Sequence, residues 1–364
     1  MRVGSIARRA RGSNDWRVER AAMSDAIRRK PDVALKIAHE LDEDLERHGY
    51  DLAISALRHD AFELACQSPP RSSTRIAIHL GARPSTQHPN SPKPEYLRLR
   101  NAMQIAGTRP AADIMNVLES DQKLRREDPE FGLLLSHELV LRGTDPSASA
   151  AWYRTWARET NHPLAPLPFQ LLDIEREIPT GLPQYPGALG ASSWPTTTII
   201  EPELVPLGEF LSGLGAGIPL DDRVAMAPFQ DWLDLSNGRV QVAAYRPGDA
   251  FAADLPEPRV HEGIRATPID PAQAVRSLFI AASGGGAYSP SPGGATARLR
   301  VWAGLGALVD LSAASPLEEI AQRAGDAQWL RLETSDWFDE VAWDVWIVLL
   351  GGQRVVTVAA TDTD

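Results

Sequence analysis

The sequence predicts an α+β protein: an N-terminal all-helical array of antiparallel helical hairpins, then a smaller mixed α+β domain ending in a β-hairpin. Three observations predict it. Apolar residues recur at helical spacing through residues 21–178, residues 179–195 are rich in proline and glycine, and the alternation beyond them has period two.

In the helical half, Val33, Ile37 and Leu41 fall on one helix face, with Ala34, Ala38 and Leu45 beside them. Pro31, Pro94, Pro110, Pro129 and Pro146 each precede an amphipathic run. Proline suits a first helical position because the amide it lacks would have no partner there. Asp128 and Asp145 stand before two of these prolines as candidate N-caps. The last four prolines are 16, 19 and 17 residues apart. Each interval fits one helix and a short loop, and short loops make neighbouring helices antiparallel. Residues 68–94, with Pro69-Pro70 and Arg83-Pro84, read as an exposed interruption around a short element at Arg75–Leu80. The pattern resembles a helical repeat, but no fixed repeat signature is present.

Residues 1–20 carry six arginines against Asp15 and Glu19, which reads as a basic arm that need not fold. Met23 is an alternative start.

Beyond the Pro/Gly-rich linker at 179–195, the domain at 196–364 holds strand-like Thr196–Ile200 and Arg239–Tyr245. It closes with two apolar runs, Val341–Leu350 and Arg354–Ala360, around Gly351-Gly352-Gln353. Glycine in so short a connection marks a hairpin. Helical runs are expected at 271–282, 294–309 and 316–325, the last with Ser315, Pro316 and Glu318 placed as a capping box.

The bulk composition narrows the function. A net charge of −11 leaves no broad basic face for phosphates, so nucleic acid is not an expected partner. No run of apolar residues is long enough to span a membrane, and no apolar leader core begins the chain. One cysteine, Cys66, cannot form an intramolecular disulfide, and it reads as a small buried hydrophobe. The expected compartment is the cytoplasm.

No motif commits the chain to a reaction, so catalytic residues are not assigned. The eight histidines include no pair at i, i+3 or i+4, so neither a metal nor any other cofactor is expected. Gly284-Gly285-Gly286 and Gly293-Gly294 precede a helix, where phosphate can bind, but no Gly-Lys-Ser/Thr follows. A connecting loop containing Tyr288 is the simpler reading. Asp344 lies within an apolar strand and needs a partner if buried, with Arg298 and Arg354 as the candidates. Trp343 and Trp346 differ by three, which puts them on opposite faces of a regular strand. Tyr288, Arg298, Asp344, Trp343 and Trp346 are therefore the candidate ligand or interaction residues.

The C-terminal string Gly285-Gly286-Ala287-Tyr288, Arg298-Leu299, Trp302, Trp337-Phe338, Val341-Ala342-Trp343-Asp344 and Ala359–Asp364 resembles a family of bacterial proteins known only as a domain of unknown function. The resemblance covers roughly the last quarter of the chain and implies no activity. It suggests that the glycine cluster, Arg298 and the final hairpin form one structural unit. The expected function is a non-catalytic protein-interaction module whose partner is another protein. The alternative is a small-molecule-binding or hydrolytic enzyme, with Arg298 holding an anion at the 284–298 loop and Asp344 orienting it.

Overall fold

A computed structural model describes residues 4–11, 16–84, 93–183, 214–247, 265–286, 291–312, 314–333, 344–351 and 354–362. It is α+β: a helical array comes first, and an antiparallel six-stranded sheet follows. Met1–Ala165 form one compact unit, and Pro166–Leu182 group with Trp194–Asp364 in a second.

Among the described residues, ten helices build the first unit: α1 Gly4–Ala10, α2 Arg17–Arg29, α3 Val33–His48, α4 Leu52–Gln67, α5 Pro70–Ala82, α6 Pro94–Thr108, α7 Ala111–Ser120, α8 Gln122–Glu127, α9 Pro129–Leu141 and α10 Ala151–Glu159. Prolines open α6 and α9, and Pro110 sits just before α7, as the punctuation predicts, while Pro70 opens α5 where an interruption was expected. Neighbours in sequence pack together from α3 to α6, and α6 then packs on α9.

Three details differ from expectation. The 110–129 interval holds two short helices, because the Asp121 side chain accepts from the amides of Lys123 and Leu124 and starts α8 anew. Residues 70–82 are a full helix in which Ile76, Ala77, Ile78 and Leu80 are buried. The described part of the basic arm is helical, as α1 and the first turn of α2, with Ile6, Ala7 and Ala10 buried. Its cations are committed too: Arg9 binds Glu19, Arg11 binds Asp44 and Arg20 binds Asp60.

The second unit begins with two short 3₁₀ turns, Asp173–Glu175 and Ile178–Gly181. Helix therefore does not run on to residue 178. Pro179 and Gly181, expected in the linker, lie in the second turn, and a Cβ on Gly181 would come within 3.0 Å of Ile280.

The sheet comprises β1 Leu214–Ile218, β2 Arg239–Pro247, β3 Arg265–Ile269, β4 Gln328–Glu333, β5 Val345–Gly351 and β6 Arg354–Thr361, in the order β1-β2-β6-β5-β4-β3. The final hairpin is present, with Gly351 opposite Arg354 and Val345 opposite Ala360. Strands β1, β3 and β4 have no clear period-two signature in the sequence; Thr196–Ile200 and residues 341–343 lie outside the described residues.

Two short helices, α11 Asp222–Ala225 and α12 Gln230–Leu235, lie between β1 and β2. Helices α13 Pro271–Gly284, α14 Gly294–Leu308 and α15 Leu317–Asp326 follow β3. Both α13 and α15 pack on the sheet. Trp329 marks the covered face, its indole N–H donating to Ala324 O at the end of α15. The opposite face is buried as well, with Trp346, Val348, Val355, Leu330, Leu332 and Tyr245 in one cluster. Burial on both faces explains why Val345–Leu350 is a continuous apolar run rather than an alternating one.

Candidate functional site

Arg298 is the most deeply engaged of the residues singled out in the sequence. It lies on α14, four residues before Trp302, so the two share a helix face. Its side chain is 0% exposed, and that of Glu175 is 1%. Nε and Nη2 donate to the two Glu175 oxygens at 2.7 Å each, a bidentate pair. Nη1 donates to Pro168 O and Nη2 to Gln170 O, both at 2.8 Å. Glu175 is matched in turn by Trp302 Nε1 at 2.8 Å and the Leu172 amide at 2.9 Å. With its donors directed into protein acceptors, Arg298 fastens residues 168–175 to α14 rather than facing an anion.

Asp344, its expected partner, accepts instead from Thr361 Oγ1 at 2.6 Å. Trp346 is 2% exposed and donates from Nε1 to Thr357 Oγ1 at 2.8 Å, so it is core. Tyr288 and Trp343 lie outside the described residues. The glycine cluster does meet the end of the final strand. A Cβ on Gly286 would come within 2.1 Å of Asp362 Oδ2, which accepts from Ser236 Oγ at 2.7 Å. Gly285 and Gly293 take φ of 68° and 78°, one just after α13 and one just before α14. Gly285 and Gly293 thus supply positive φ, and Gly286 permits the close approach of Asp362. Cys66 is buried, and burial pushes its thiol up, away from reactivity.

A cleft of about 410 Å³ opens at the end of the sheet where β5 turns into β6. Leu308, Val309, Ala327 and Leu349 supply its apolar lining, and Asp310, Arg323, Asp326 and Arg354 its charges. Arg354 Nη1 lies 2.5 Å from Asp310 Oδ1, and Nη2 donates to Pro219 O at 3.0 Å. Asp310 follows the C-terminus of α14 with φ 61°, a conformation usually left to glycine. Its amide bonds Ala307 O, and that of Leu311 bonds Gly306 O, which closes the helix end. Sequence reading missed Asp310 and Glu175 because neither sits in a motif and each meets its arginine only through the fold.

In the first unit, α8 and α10 present a second polar and aromatic feature. Tyr153 and Ala157 face inward, and Gly132 on α9 makes room, since a Cβ there would lie 2.1 Å from the Tyr153 ring. Burial raises the Tyr153 hydroxyl to about 12, so it stays neutral. That rotation of α10 leaves Trp152 39% exposed and Trp156 half-buried, four residues apart on one face. The Arg125 guanidinium carbon lies 5.9 Å from the Trp152 ring centroid, within cation–π range. The two helices together carry Lys123, Arg125, Arg126, Arg154 and Arg158 against Glu127 and Glu159.

Among the described residues, no group of three or more His, Cys, Asp or Glu side chains is placed to hold a metal ion. Among these same described residues, no helix is long and apolar enough to cross a membrane. A family model matches residues 17–364, nearly the whole chain.

The chain belongs to the family of unknown function DUF6183.

The DUF6183 match takes in nearly all of the helical unit as well as the sheet-containing unit, so it reaches far beyond the C-terminal string that first suggested a family. No curated protein and no solved structure matches the chain.

Proposed function

We propose that the chain is a non-catalytic protein-interaction module acting in the cytoplasm, with the α8–α10 face of the helical unit as its binding surface. The observation that carries this reading is exposed Trp152, with the Arg125 guanidinium over its ring and half-buried Trp156 on the same helix face. Tryptophan and arginine dominate interface hot spots, because each combines a large contact area with a polar tip. The basic excess of α8 and α10 stands out in a chain of net charge −11. The partner it fits is a protein segment bearing acidic residues around an apolar anchor.

The test is a quantitative capture experiment. Full-length chain and a Trp152→Ala/Trp156→Ala variant are used to capture proteins from the native host, and any captured partner is then purified and titrated. The double variant is expected to keep its helical circular dichroism and to weaken the purified partner at least about tenfold. Added salt should weaken the wild-type complex further. Equal affinity for the two proteins removes this surface from consideration.

A further inference from the structure

We propose that the cleft at the β5–β6 turn binds a free α-amino acid with an apolar side chain. Its carboxylate would meet Arg354 and Arg323, and its ammonium group Asp310 and Asp326.

The argument begins with charge. The cleft wall carries two guanidinium and two carboxylate groups, so its formal charge is zero. Arg354 and Asp310 already neutralise each other, so a simple anion or a simple cation would bring net charge to a neutral wall, whereas a zwitterion brings none and meets both signs. The apolar patch of Leu308, Val309, Ala327 and Leu349 lies within the same cleft and suits an aliphatic or aromatic side chain. At about 410 Å³, the volume falls within the range of about 300–1,000 Å³ typical of small-ligand sites.

The arginines are suited to the task. Arg354 is held at a fixed place by Asp310 and Pro219 O, and its side chain is 14% exposed. Its Nε and Nη1 are nevertheless both buried without a well-aligned hydrogen-bond acceptor among the described residues, Nη1 despite its closeness to Asp310. A donor in that position costs free energy unless something accepts from it. Arg323 is held only by a 3.5 Å contact with Glu319, its neighbour one helical turn away, and half of its side chain is exposed. It is free to swing onto a ligand carboxylate.

The acidic side has independent support. Helices α14 and α15 both end at the cleft, through Leu308 and Asp326, and helix C-termini favour cations. Asp310 adopts a left-handed backbone where glycine would be unstrained, and its carboxylate is 67% exposed beside Arg354. Its carboxylate lines the cleft.

Isothermal titration calorimetry of the full chain tests the proposal. The probes are L-leucine and L-phenylalanine, with 4-methylpentanoate and 3-methylbutylamine as leucine analogues lacking the ammonium and the carboxylate. Saturable binding is expected for at least one amino acid, and each analogue should bind about tenfold or more weakly than leucine. Arg323→Met and Asp326→Asn, both at exposed positions, should each weaken binding about tenfold while leaving the melting temperature of the free protein unchanged. The proposal is overturned if neither amino acid gives saturable heat. It is equally overturned if 4-methylpentanoate binds as well as leucine, which would make the cleft a plain anion site, or if both variants bind like wild type. The cleft and the Trp152–Trp156 face share no residue, so either result leaves the other proposal standing.

Discussion

Two of the arginine–carboxylate pairs in the second unit look alike on paper and behave oppositely. Arg298 and Glu175 are sealed, with both oxygens and the guanidinium donors matched by protein groups. Arg354 and Asp310 meet at a cleft, one partner largely exposed and a guanidinium nitrogen without an acceptor. The difference teaches where to look for function. A charge whose every partner is supplied by the fold is holding the fold, and one left partly unanswered at a cavity can take a ligand.

The comparison is broken most severely at Arg298. Arg298→Met leaves the Glu175 carboxylate buried without its counter-charge, and removal of one partner of a buried pair costs about 3–5 kcal/mol. Urea unfolding of wild type and variant would measure it. A loss below about 1 kcal/mol would mean that water reaches Glu175 and that the pair is not sealed.

At the cleft the same substitution should be mild. Arg354→Met is expected to cost about 1 kcal/mol or less, since its partner is mostly in solvent. Asp310→Gly should change stability even less, because relief of the left-handed backbone offsets the lost ion pair. A cost at Arg354 comparable to that at Arg298 would erase the distinction between the two pairs.

A third carboxylate sharpens the comparison through pH. Asp121 starts α8 and is met by His79 at 2.9 Å and Arg75 at 3.1 Å. Burial alone would raise its carboxyl. The Leu124 amide, His79 and Arg75 outweigh that and hold it below the usual carboxylate range. A depressed folded value contributes stability above the unfolded value of about 3.9, and the contribution disappears as pH falls through the folded one. Wild type should therefore lose more melting temperature than Asp121→Asn on acidification below about pH 4. Parallel curves would show that the pairing contributes nothing.

Much of the fold was legible in the sequence, and little of the site. Proline at a first helical turn and apolar spacing are local rules, so α3, α6, α9, α13 and α14 could be placed from nearby residues alone. The final hairpin was equally local, as two apolar runs around glycine. Strands β1, β3 and β4 were not, because Leu214–Ile218 is glycine-rich and Arg265–Ile269 contains proline, and both become strands only by pairing with partners. Helix α5 was legible only as a short element at Arg75–Leu80, because Pro69-Pro70 looks like a break although Pro70 opens the helix.

The sequence by itself determined the α+β class, the helical punctuation and the presence of Arg298, Asp344 and Trp346 in the C-terminal part. Only the tertiary structure decided what those residues do. Arg298 finds Glu175 across 123 positions and Arg354 finds Asp310 across 44, distances over which no periodic pattern carries information. Secondary structure is written in neighbours a few residues apart, whereas the partner of a charge is set by which elements the core brings together.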